Sequence, residues 1–432
     1  MKRTALVLAL AVLGSGPTPA ADPATIDWGK IPAVTVPLFY PGQSSYEWLV
    51  SDAHKGAVKE VRRGDACAFC HDEPDAEKDI GEKIVAGKRL EPNPPKGKNG
   101  HIDLKVQAAF DDRNAYLRFQ WKTNGGRAGT DHPAYRFDGK QWKPWGGARL
   151  DADVQAGRQR AIYEDRLSLM IDDGKVPNFA KQGCWLTCHN GSNDMPQQAT
   201  RDEVAANALL AALKKSDVRK YLPASRNDPA DWKSGKTPEE IAKLKAEGGF
   251  VDLIQWLAHR SNPVGGVDDG YVLEYRNFDA GKNHFASNLD EKKQPKFMFD
   301  AAKRGSRSLT ANDFGKKDNI LIKGVNAVPF DPNAGWKDGD LLQQYVLSAA
   351  DAAGSAADNK GSGVWKDGMW TVVIIRPLNL ANADDKALRP GSVYNVGFAV
   401  HDDNMTSRGH HVGWVRSLGL GVKADIEAVR LP

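Results

Sequence analysis

Ile102-Asp103-Leu104-Lys105-Val106-Gln107-Ala108-Ala109-Phe110 reads as a β-strand with one buried face. Ile102, Leu104, Val106, Ala108 and Phe110 fall on one side, and Asp103, Lys105 and Gln107 on the other, as a backbone of period two requires. Asp111 to Asn114 supply a turn, and Leu117, Phe119 and Trp121 alternate on a returning strand. Leu167, Leu169 and Ile171 repeat the pattern with Arg166 and Ser168 between them. Strand text returns at Trp370 to Arg376, Tyr394 to Val400 and His411 to Val422, after a loop-rich stretch beyond residue 265. The expected fold is mainly β with helical insertions.

Helical signals cluster at about 200–260. Thr200-Arg201-Asp202-Glu203 has capping-box spacing and opens a helix expected to reach about Lys220, before Pro223. Thr237-Pro238-Glu239-Glu240 repeats it with proline at the first helical position, for a helix to Glu247 that Gly248-Gly249 breaks. Upstream of the strands, the breaker-dense Asn93 to Gly100 marks a boundary between segments 22–98 and 99–432. In the first of these, a helix is expected over Ser51 to Arg63, ended by Gly64.

That first segment, expected to be small and mostly helical or irregular, carries Cys67-Ala68-Phe69-Cys70-His71. The C-x-x-C-H pattern is that of c-type haem attachment, in which two thiols add to the porphyrin vinyl groups and the adjacent histidine reaches the iron. A looser version is Cys184-Trp185-Leu186-Thr187-Cys188-His189, with three residues between the cysteines. The chain has 4 cysteines and 10 histidines in 432 residues, so each Cys-His adjacency has a chance of about 2 per cent. A zinc site at Cys67 and Cys70 needs a second ligand pair at related spacing, and the next pair is over a hundred residues away. A disulfide between Cys184 and Cys188 is the bland alternative at the second motif. Two covalently attached haem c groups are expected, with His71 and His189 as proximal iron ligands.

The opposite iron faces need further ligands. His54, just before the first motif, is the expected distal ligand there. For the second haem the candidates are His410 first, then His411 and His259, with Met170, Met195 and Met405 behind them. If His410 extends the last strand it shares a face with Val412 and Trp414, whereas His411 shares that of Gly413.

Lys2 and Arg3 followed by the apolar run Ala5 to Leu13, with small residues to Ala20, read as a secretory leader over residues 1–21. The run is too short to span a bilayer, and no later segment approaches the roughly 18 apolar residues that requires. A periplasmic location follows. Without Lys2 and Arg3 the chain has 57 basic and 55 acidic residues (59 less 2, against 55), a net of +2, which argues against nucleic acid or an anionic membrane as the main partner.

From Gln107 onwards the chain resembles the haem-binding domain of the ethylbenzene dehydrogenase gamma-subunit family, which includes haem subunits of periplasmic molybdenum enzymes such as dimethylsulfide dehydrogenase. The resemblance rests on Glu164-Asp165-Arg166-Leu167-Ser168-Leu169-Met170, Phe179 to His189, Asp252-Leu253-Ile254-Gln255-Trp256 with Arg260, Trp370 to Leu378 and Tyr394 to Asp402. It covers most of residues 105 to 422. It implies a β-sandwich with one haem at its mouth, in that family a non-covalent b-type haem ligated by methionine and lysine. The Cys184, Cys188 and His189 cluster departs from that pattern. The expected role is electron relay in a respiratory chain, with redox proteins such as a molybdenum oxidoreductase or a membrane quinol-oxidising cytochrome as partners. The alternative is a haem reductase or peroxidase with an open position at the second haem, served by His410, His411, Arg376 or Arg408.

Overall fold

The computed structural model describes residues 22–432 apart from 88–89, 92–93, 381, 404 and 406–408. The expected leader over residues 1–21, Asn93 of the expected boundary and Arg408 lie outside the described residues. A mixed fold dominated by one large sheet emerges, with helices interspersed. Thirteen described strands build that sheet: β1 Val34–Phe39, β2 His101–Phe110, β3 Asn114–Lys122, β4 Arg166–Asp172, β5 Val251–Leu257, β6 Gly270–Val272, β7 Arg276–Phe278, β8 Lys360–Lys366, β9 Met369–Pro377, β10 Val393–His401, β11 His411–Val412, β12 Arg416–Leu420 and β13 Ile426–Arg430. The order is β8-β9-β3-β2-β1-β11-β10-β4-β5-β6-β7, with β12 paired to β10 and β13, and β13 paired to β2.

The opening stretch forms β2, antiparallel to both β1 and β3. Ile102, Leu104 and Val106 are buried while Asp103 and Lys105 are exposed. From Gln107 onward both faces are covered, because Trp28 and Ile31 lie across the outer side and accept hydrogen bonds from Gln107 Nε2, each at 2.7 Å. Strand β1 comes from the first segment, so residues before 99 share the sheet with those after. Leu117 and Phe119 on β3, Leu167 and Leu169 on β4, and Ile254 on β5 meet in one core. Its aromatic pairs join distant strands: Phe119 with Phe398 at 5.8 Å and Trp256 with Trp370 at 4.8 Å.

Several expected elements differ from what forms. After a first short helix α1, Tyr46–Leu49, the helix expected over Ser51 to Arg63 is α2, Val58–Arg63, because Gly56 takes a left-handed φ of 79° ahead of it; Gly64 ends it in the left-handed region, as expected. The Thr200 capping box forms, but its helix is Arg201–Ala206. Asn207 then leaves helical geometry and recaps Ala208–Ala212, and Lys214 with a φ of 54° stops the run before Lys220. The Thr237 box opens Pro238–Ala246. The final strand splits into β11 and β12. Strands β6 to β8 arise in the stretch read as loop-rich, where glycine and charge mask the alternation.

Candidate functional site

Helix α3, Cys67–Cys70, is a single turn, so the two thiols three residues apart point to one side. Cys67 is half-buried and Cys70 exposed; burial pushes the Cys67 thiol up to about 11. The turn faces a cavity of ≈ 530 Å³ whose walls include Cys67, Cys70, His71 and His54. That volume is within the 300–1,000 Å³ range of cofactor-sized sites. Phe39, Trp185 and Trp414 close its floor, with ring centroids 4.9 to 5.3 Å apart.

The His54 and His71 ring centroids are 6.3 Å apart and their planes differ by 10°. Two imidazoles bonded to opposite sides of one metal ion at about 2.0–2.1 Å bring their ring centres to roughly 6 Å. His54 lies in the turn before α2 rather than on it, and its Nδ1 is 3.1 Å from the Leu49 carbonyl. A donated Nδ1 proton there leaves Nε2 as the lone-pair nitrogen, the arrangement of a metal-ligating histidine. Burial, then the neighbouring His54, lowers the pKa of His71, which favours the neutral ring.

The second motif forms a 3-10 turn, Gly183–Thr187, held by the Thr187 hydroxyl donating to the Cys184 carbonyl at 2.8 Å. Cys184 and Cys188 line a smaller cavity of ≈ 150 Å³ against the outer face of β4, β5 and β10. Alternation assigns the strand residues: Leu167, Leu169 and Ile171 enter the core, while Ser168 and Met170 face the cavity. Met170 Sδ is 3.8 Å from Cys184 Sγ. Met195, His401 and His410 are also on its wall, and the two imidazoles lie 4.9 Å apart.

His189 is not on this wall. It stacks on Tyr221 at 3.7 Å, and its Nδ1 donates to Glu47 Oε1 at 2.8 Å. Its Nε2 is 3.2 Å from the Leu186 carbonyl oxygen. Burial lowers the His189 pKa, against the pull of Glu47, so the ring carries one proton and the carboxylate claims it. Nε2 then presents a lone pair to another acceptor. Glu47 stands where the carboxylate behind a metal-ligating histidine stands, but Nε2 faces the Leu186 carbonyl and not the cavity, so this structure does not bring His189 to the position expected of the proximal ligand.

Of the other expected ligands, His411 is buried elsewhere, with Nε2 2.9 Å from the Asn99 carbonyl. His259 sits by the Thr130 carbonyl at 3.0 Å and beside His132. Met405 is buried but lines neither cavity. Arg376 is fully buried and ion-paired to Asp252, so it serves neither cavity. Three residues escaped sequence reasoning. His401 could have been found by extending the Gly397, Ala399 alternation. Glu47 and Trp185 carry no local signal.

The two cavities share a partition. Trp185 and Leu186 line the first, whereas Cys184, Thr187 and Cys188 line the second. The Tyr46 N–H donates to the Cys188 carbonyl at 2.6 Å and Trp185 Nε1 to Ser44 Oγ at 3.2 Å, tying the first segment to the second motif. The residues of the first cavity fit a haem c in volume, thiols and paired imidazoles. At the second, Cys184, Cys188, Met170 and His410 share one wall, but ≈ 150 Å³ is below that range and His189, the expected proximal ligand, lies off the wall.

Among known proteins, the chain is 28% identical to a cytochrome c-552 from Stutzerimonas stutzeri over 432 residues, all of both chains. It is 29% identical to a cytochrome c-551 from Rhodocyclus tenuis over 272 residues, 60% of this chain and 91% of that protein. The family described as "Ethylbenzene dehydrogenase" matches residues 25–413, a span that takes in both cysteine motifs and eleven of the sheet's thirteen described strands, all but β12 and β13, so its match reaches well ahead of Gln107. With nearly the full length matched, the chain belongs to the ethylbenzene dehydrogenase family.

Proposed function

We propose that this chain is an exported dihaem c-type cytochrome that relays electrons between respiratory partners, with one haem bound through Cys67 and Cys70 and a second through Cys184 and Cys188. The observation that carries the reading is the cavity where both thiols, His71 and His54 converge with parallel imidazoles 6.3 Å apart. Bound haem would supply one-electron redox chemistry at a potential set by axial ligands and burial. His71 and His54 would together hold the iron and leave substrate no place on it. Phe39, Trp185 and Trp414 exclude water from the inner side. Phe69 is 72% exposed, so the attachment turn meets the surface where a redox partner can approach. At the second site Lys220, and Arg166, Arg219 and Arg276, which are paired to Glu164, Asp217 and Asp268, would face the haem carboxylates, and His410 is the proposed distal ligand.

The facing of β3 and β9 against β5 and β10 across the tryptophan-rich core supports a sandwich architecture. The two relatives named as cytochromes support the carrier role. The test is the mass and spectrum of the holoprotein. Two covalent haems and low-spin ferric spectra are expected, and His54→Ala should turn one haem high-spin and open to cyanide. A wild-type haem at the first site that binds cyanide rapidly refutes the bis-histidine assignment.

A further inference from the structure

Away from both cavities, five aspartates converge beneath the end of the sheet. Asp252 is on β5, Asp269 precedes β6, Asp279 follows β7, and Asp384 and Asp385 lie in the loop after β9. One carboxylate oxygen each from Asp252, Asp269 and Asp385 lie within 4.8 Å of one another, as do oxygens of Asp279, Asp384 and Asp385. All five side chains are buried. Oxygens at about 2.3–2.6 Å from one calcium ion are separated by no more than roughly 5 Å.

Some of this charge is met. Arg376 pairs with Asp252 and is 3.4 Å from Asp385. The Ser355 hydroxyl is 3.0 and 2.9 Å from Asp384 and Asp385, yet has one proton to donate. The Ala280 N–H donates to Asp384 at 2.9 Å and the Gly270 N–H to Asp269 at 3.0 Å. The Lys386 N–H donates to Asp252 and the Asn382 amide to Asp385, both at 2.9 Å, while the Lys386 ammonium is directed elsewhere, to Asp173 and the Gly248 carbonyl, both at 2.6 Å.

The rest is not met. Asp279, 6% exposed, has no hydrogen-bond partner for either oxygen, and Asp252 Oδ1 has none. The neutral Asn359, 0% exposed, donates its amide to Asp269 while its carbonyl Oδ1 finds no donor. Proton uptake would supply one donor per carboxyl, whereas a single cation can meet the bare Asn359 oxygen and several bare carboxylate oxygens at once. Burial, and then Asp252 and Asp384, push Asp279 up to about 9, and burial holds Asp269 well above the usual carboxylate range.

We propose that Asp252, Asp269, Asp279, Asp384, Asp385 and Asn359 bind a calcium ion that fastens the β5–β7 edge to the loop after β9. The donor set is all oxygen, with neither imidazole nor thiol, which favours a hard cation over zinc or copper. The ion would join segments more than a hundred residues apart. Because Leu253 and Gln255 of β5 line the second cavity, it would also brace the wall behind Met170.

Metal analysis of the holoprotein purified without chelators, followed by Tm measurements in EGTA and in added CaCl2, tests this. At least one calcium per chain is expected, with a Tm several degrees lower in EGTA that recovers with CaCl2. Asp279→Asn should weaken calcium binding at least tenfold while leaving both haem spectra unchanged. A wild-type chain with no calcium and the same Tm in EGTA and CaCl2 overturns the proposal. Should Asp279→Asn fail to fold, the wild-type metal content and Tm decide the question.

Discussion

Asp165 shows how far burial can move a single group. Its carboxyl accepts from Trp370 Nε1 at 2.8 Å and the Gly129 N–H at 2.6 Å. Burial nevertheless pushes it up to about 8, with Asp402 and Asp403 adding to the rise. A folded pKa above the unfolded value means the stabilisation is complete below about pH 4 and is lost as pH climbs through about 8. Asp402, pushed up to about 6 by burial, acts in the same direction. Asp165→Asn mimics the protonated form and keeps an acceptor oxygen. It should therefore flatten the fall of Tm between pH 4 and 8, and gain on the order of 1–3 kcal/mol over wild type above pH 8. Thermal melts of both proteins across that range check this; parallel curves contradict it.

Among elements, the hinge between α2 and α3 sets the first site. Gly64 has a φ of 81°, and a Cβ there would come 2.3 Å from the Asn178 side chain. Gly64→Ala should cost about 2 kcal/mol or more, and lower haem loading at Cys67 and Cys70, as denaturation and absorbance would measure. An unchanged midpoint and full loading would show that the hinge relaxes. This stop was legible, since glycine after Arg62-Arg63 is a common helix end. Strand β4 was legible too, because a period of two separates Leu167 and Leu169 from Ser168 and Met170. What β4's outer residues face was not legible, since alternation says that a face differs and not what covers it. The Thr200 helix broke early because Asn207 offers its own side chain as a new cap, a choice that competes closely with continuing the turn.

Across the full chain, one partition separates the two cavities, and Trp185 is its largest side chain. It packs on Phe39 and Trp414 at 5.3 and 4.9 Å, and it is flanked by Cys184. Trp185→Ala should destabilise the protein by about 3–5 kcal/mol and slow electron exchange between the haems, while Trp185→Phe should keep most of both. Flash-initiated kinetics on the dihaem protein gives the rate, and an unchanged rate in the alanine variant would move the route elsewhere.

The attachment motifs, the β character and the caps could all be read from the chain because they depend on neighbours a few residues apart. Thiol spacing, strand alternation and capping are local geometry. The chain offered His54 opposite His71, and His410 ahead of His411, as candidates, but it gave no sign of the partner of His189. Glu47 meets His189 across 142 residues, and His410 rather than His411 comes to line the second cavity because β11 joins the sheet between β1 and β10. Such pairings depend on how strands order themselves around a shared core, and that order comes from the packing of the entire sheet.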